Sequence, residues 1–93
     1  MSDQEAIEAI QSSEYPTGYK LISKKTITLN GIKAYESLIT INDHNIFSEI
    51  MEDQEIDIVK NKKTYTLDCI ANLKDFNTEK TIFNIITQSL KIQ

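Results

Sequence analysis

Apolar and polar residues alternate along this chain with two different periods, and the switches between them mark out its elements. Ala6, Ile7, Ala9 and Ile10 recur at the three- and four-residue spacing of a helix face. Ser2 and Glu5 form the S-x-x-E pattern of a capping box, and the acids Asp3 and Glu5 suit the positive end of a helix dipole. A helix over 3–12 is predicted, failing at Ser12–Ser13 before Pro16 and Gly18 break the chain. From Tyr19 to Leu29 β-branched residues take over, and Ile27 and Leu29 alternate with Thr26 and Thr28, so this stretch reads as a strand. Asn30-Gly31 then supplies the two positive φ angles that a type I′ hairpin turn requires. The returning strand, 32–41, carries Ala34, Tyr35, Leu38, Ile39 and Ile41, which fall on both faces and leave its orientation open.

Asn42 to Asn45 reads as a loop, and 46–51 fits neither period. A third strand over 53–60 puts Ile56 and Ile58 on one face and Glu55, Asp57 and Val59 on the other. Asn61-Lys62 makes a second tight turn into a fourth strand, 63–72, where Tyr65, Leu67, Cys69 and Ala71 alternate with Thr64, Thr66 and Asp68. That alternation predicts Cys69 facing the core. A closing helix is predicted over 77–90, capped by Asn77 or Thr78, with a stripe of Ile82, Phe83, Ile86 and Leu90 widened by Ile85. Burying four or five such side chains would contribute on the order of 8–12 kcal/mol before ordering entropy, making this helix the main cover of the sheet. The expected fold is α+β: a four-stranded antiparallel β-meander between an N-terminal and a C-terminal helix, in the order α-β-β-β-β-α.

Composition narrows the class. Ninety-three residues allow a single domain over 1–93, and 40% hydrophobic with 26% charged residues argues against disorder. No apolar run approaches the roughly 20 residues needed to cross a bilayer. The start, MSDQEAIEAI, is acidic where a secretory signal would be basic, so the expected location is cytoplasmic. Net charge is −4 and all ten basic residues are Lys, which disfavours nucleic acid as a partner. Lys60, Lys62 and Lys63 cluster around a turn, where they read as a solvated hairpin tip. Cys69 is the single cysteine, so it offers neither an intramolecular disulfide nor zinc-ligand spacing.

Candidate chemistry is sparse. His44 is the single histidine and lies in a polar loop; pairing it with Cys69 would need an exposed, acidified thiol. The sequence has no G-x-S-x-G, no P-loop and no G-x-G-x-x-G, and its two glycines read as turn residues. No catalytic, cofactor-binding or metal-ligating residue is therefore assigned, and the chain is expected not to be an enzyme. The alternative lies in the acidic run Glu49, Glu52, Asp53, Glu55 and Asp57, with Asp43 upstream, which could bind a cation or small molecule through carboxylate oxygens. An EF-hand register from Asp43 fails, because Ser48 stands where Gly is needed and Gln54 where the bidentate Glu belongs. Glu55 and Asp57 sharing an outward strand face is otherwise the ordinary way to keep a strand soluble. A meander also leaves two open edges, which can pair with a partner or with a second copy of the chain.

Gly18 to Ser23 and Thr28 to Glu36, with Asn30-Gly31 between strands, resemble the central hairpin of PsbP-like domains. Ile58 to Leu67 is similar to their next hairpin, and Asp75-Phe76, Phe83, Ile85-Ile86 and Ser89 to Ile92 are similar to their terminal helix and tail. The family takes its name from an extrinsic subunit of photosystem II, and a related fold occurs in a protein that binds the Ran GTPase. The resemblance implies a non-enzymatic docking module with a protein partner. PsbP-like domains usually carry further strands and a Phe/Tyr…Pro…Trp segment ahead of the first helix, whereas this sequence has no Trp. That difference suggests a minimal or truncated version and argues against a photosystem role.

Overall fold

The computed structural model describes residues 2–89. The elements run α1 (Asp3–Gln11), β1 (Tyr19–Leu29), β2 (Ile32–Ile41), β3 (Met51–Lys60), β4 (Lys63–Asn72) and α2 (Phe76–Gln88). The fold is thus α+β in the expected α-β-β-β-β-α order. All four strands join one antiparallel sheet in sequence order. Among the described residues no helix is long and apolar enough to cross a membrane.

The capping box closes α1 as its sequence requires: Ser2 Oγ accepts from Glu5 N at 3.1 Å, and Ser2 N donates to Glu5 Oε1 at 3.3 Å. Both tight turns use left-handed residues, Asn30 and Gly31 in the first hairpin and Asn61 and Lys62 in the second. Gly18 turns the chain into β1 at φ +93°, and a Cβ there would stand 2.9 Å from the backbone oxygen of Asn42. The 46–51 stretch resolves as loop up to Ile50, and Met51 already belongs to β3.

The two faces of the sheet are covered by different helices. On one face Leu29, Ala34, Ile56 and Ile58 form the buried core, joined by Ile27, Ile32, Leu67 and, from α2, Phe83. β4 and α2 thus meet as the alternation predicts. On the other face lie Tyr35, Ile39 and Ile41, all buried, beside Ser37. Here the Lys24 ammonium bonds the carbonyl of Ile10 in α1, and Tyr15 hydrogen-bonds Ser37.

Three expectations for α2 fail. Its N-cap is Asp75, with no side-chain cap bond, where the sequence suggested Asn77 or Thr78. Asn72 Oδ1 accepts from Asp75 N at 2.9 Å and closes the β4–α2 turn early, so the helix begins at Phe76. Of the described residues of the apolar stripe Phe83 alone packs on the sheet core, while Ile82, Ile85 and Ile86 are 50%, 66% and 59% exposed. The inward residues are Phe76, Phe83, Asn84 and Thr87. Gln54 explains the rotation. It points from the centre of the sheet toward α2, is fully buried, and donates to Asn84 Oδ1 at 3.3 Å and Glu36 Oε2 at 3.0 Å. A buried amide needs polar partners, and the pull of its Nε2 on Asn84 turns the isoleucines outward, although its Oε1 finds no partner among the described residues. Leu90 and the 91–92 tail lie outside the described residues.

Candidate functional site

The second hairpin brings the acidic residues together. Its two-residue turn fixes a register in which Glu55 faces Asp68, Asp53 faces Ile70 and Asp57 faces Thr66. Directly opposed residues share a sheet face, so Asp53, Glu55, Asp57 and Asp68 lie on the α1 side. One carboxylate oxygen from each of Asp53, Glu55 and Asp68 can be chosen so that all three lie within 4.8 Å of one another. Asp53 and Asp57 are buried, Glu55 is half-buried and Asp68 is exposed. The expectation of an outward, solubilising strand face is therefore overturned. α1 and the Tyr15 segment lie against this side of the sheet and displace the water that such a face would need.

Two buried acids on this strand have different fates. Asp57 Oδ1 accepts a 2.7 Å bond from Thr66 Oγ1 across the hairpin. Asp53 Oδ1 is sealed from solvent and has no hydrogen-bond partner among the described residues. Burial pushes the Asp53 carboxyl up to about 7, reinforced by the charge of Asp68, a proton-sharing bond with it, and the charge of Asp57. Glu55 is likewise pushed up to about 7, by burial first and then by its bond to and charge from Asp57, with Asp68 and Asp53 adding. The Tyr15 phenol is raised by burial, a trend its bond with Ser37 opposes and the charges of Glu55, Asp57 and Asp53 support. The remaining members of the acidic run stay apart: Glu52 Oε1 accepts from Thr40 Oγ1 at 2.7 Å, Glu49 is exposed, and Asp43 Oδ1 accepts from Asn45 N at 3.1 Å.

A second feature lies along β4 and α2. Cys69, Ile70, Ile82, Phe83 and Ile86 line a groove of about 260 Å³ together with the acids Asp68 and Glu79. Cys69 turns toward α2 as predicted but stays only half-buried. Burial raises its thiol, and the charges of Glu79 and Asp53 raise it further, the opposite of what a nucleophile needs. His44 is exposed in the β2–β3 loop, outside the strand pairing that places Cys69 opposite Gln54. A larger recess of about 320 Å³ beside Gln11, Lys24, Thr26 and Tyr35 gathers no cluster of acids or nucleophiles.

The acidic run pointed to Asp53 and Glu55 but left out Asp68 and Tyr15. Asp68 was within reach of the sequence, because a two-residue turn at Asn61-Lys62 sets the pairing that opposes it to Glu55. Tyr15 carried no local signal; its place depends on where α1 lies. Compared with family models, curated proteins and solved structures, the chain finds no match.

Proposed function

We propose that this chain is a non-catalytic protein-interaction module, a PsbP-like domain that docks a partner on the uncovered side of α2 and the adjoining β4 edge. The observation that carries the reading is the outward turn of Ile82, Ile85 and Ile86, with exposed Ile70 sharing a groove with Ile82 and Ile86. Several large aliphatic side chains gathered at one place on so small a domain mark a contact surface more than a solvated one. The element order and the Asn30-Gly31 hairpin support the family reading. The free thiol Cys69 suits a reducing compartment, which favours the cytoplasm.

The lining of the groove indicates the partner. Asp68 and Glu79 share it with the apolar side chains, so the complementary ligand is an aliphatic segment carrying Lys or Arg. A second copy of this acidic chain would bring like charges together there, which places self-association second. The test compares wild type with the double variant Ile82→Lys/Ile86→Lys, both exposed positions where folding should be preserved. Wild type should retain a specific protein from native extract that the variant loses, and a purified basic-flanked segment of that protein should bind wild type alone. Equal recovery by both would remove the docking surface. A wild-type dimer that the variant reduces to monomer in light scattering would replace the foreign partner with a second copy.

A further inference from the structure

We propose that Asp53, Glu55 and Asp68 form a binding site for a hard divalent cation of calcium size, set between β3 and β4 on the α1 side of the sheet. Like charges directly opposed across two strands repel, and Glu55 faces Asp68 in that way, with Asp53 beside them. Such a group persists when something positive sits among its oxygens. The basic side chain on this face of β1, Lys24, is directed elsewhere: it bonds the carbonyl of Ile10 and lies over the Tyr15 ring at 5.8 Å. Lys25 lies on the opposite face, paired with Glu36 at 3.4 Å. Tyr15 approaches the cluster as a neutral phenol and brings no charge.

The second, independent observation is the orphaned oxygen. Asp53 is only 8% exposed, and its Oδ1 has no hydrogen-bond partner among the described residues. Neighbouring Asp57 shows that the fold can supply a donor at this depth, since Thr66 provides one. A cation among the three carboxylates would meet the need directly, because a metal ion replaces several donors at once.

The donor set fixes the class of ion. All three ligands are carboxylates, which suit hard ions; the softer candidates, Cys69 and His44, lie on the other face and in a loop. Calcium takes about six to eight oxygens in flexible geometry, whereas magnesium demands a near-ideal octahedron and gives up its waters reluctantly. Three carboxylates from different positions, with oxygens within 4.8 Å of one another, therefore suit calcium by ligand type and number. Because Asp68 is exposed, the ion has a route in and room to keep several waters on that side.

The test is calorimetric titration of the full chain, stripped with chelator, with calcium chloride and separately with magnesium chloride, alongside melting curves. Wild type should show one saturable calcium site and a rise in Tm of about 5 °C or more at saturation. Asp68→Asn, at an exposed position, should weaken binding at least tenfold with the fold intact. Asp53→Asn should raise the Tm of the stripped protein and abolish the calcium response, a combination that a merely structural carboxylate would not give. Glu49→Gln, outside the cluster, should bind as wild type. Absence of saturable heat in wild type, an undiminished response in Asp68→Asn, or magnesium equalling calcium would each overturn the proposal.

Discussion

Ile58 and Asp53 lie five residues apart on β3, on opposite faces, and show what burial does to different side chains. Ile58 is fully enclosed against Leu29, Ala34 and Ile56. Ile58→Ala should destabilise the domain by about 2–4 kcal/mol, read as a lower urea midpoint with unchanged slope. Asp53 is enclosed too, but as an acid held up to about 7, like Glu55. In the unfolded chain both give up their protons near pH 4 (about 3.9 and 4.3). The folded state therefore binds more protons between those limits, and stability falls as pH rises through that window. In chelator-treated protein, Tm should decline from about pH 4 to about 7 and then level off. Asp53→Asn should flatten the curve, while a Tm that climbs across this range would contradict the assignment. The apolar side of β3 was legible from alternation alone, because Ile56 and Ile58 share a face without ambiguity. The acidic side was misjudged for a physical reason: alternation tells which residues share a face, and the packing of α1 decides whether that face is wet.

At the scale of elements, local chemistry set the boundaries wherever it was decisive. The capping box started α1 at Asp3, and the left-handed pairs at Asn30-Gly31 and Asn61-Lys62 fixed both hairpins to the residue. Gly18 is equally constrained. Gly18→Ala should cost about 1–3 kcal/mol, because a side chain there meets the Asn42 carbonyl in a backbone region closed to L-residues. The loss should appear as faster amide exchange of Asn42 N–H, which now donates to Gly18 O at 2.7 Å. α2 departs from its sequence because two demands compete. Helical periodicity would bury Ile82 and Ile86, whereas the buried Gln54 amide needs Asn84, and the two lie on different sides of the helix. Gln54→Leu removes the polar demand. It should leave Asn84 without its partner and let α2 roll, lowering the exposed apolar surface reported by a hydrophobic dye.

At the scale of the whole molecule, the two helices are held unequally. α2 shares the core through Phe83 and buries Phe76 and Thr87, whereas no residue of α1 is fully buried. α1 is retained by a few polar links: Asp3 Oδ1 to Lys62 N at 2.6 Å at one end, and the Ile10 carbonyl to Lys24 at the other. Its amides should exchange well before those of β2 and β3 under native conditions, and equal protection would show that the helix and sheet open as one unit. Asp3→Ala should widen that gap while leaving sheet protection intact.

The Asp3–Lys62 link joins the opening turn of the chain to a bend formed fifty-nine residues later. Closing so long a loop costs more entropy than zipping either hairpin, so the meander should assemble first and the amino-terminal segment latch on afterwards. Until it latches, Asp53 and Glu55 should lack the burial that raises them in the finished fold. The last fastening step should then be the one at which those two acids take up protons near neutral pH.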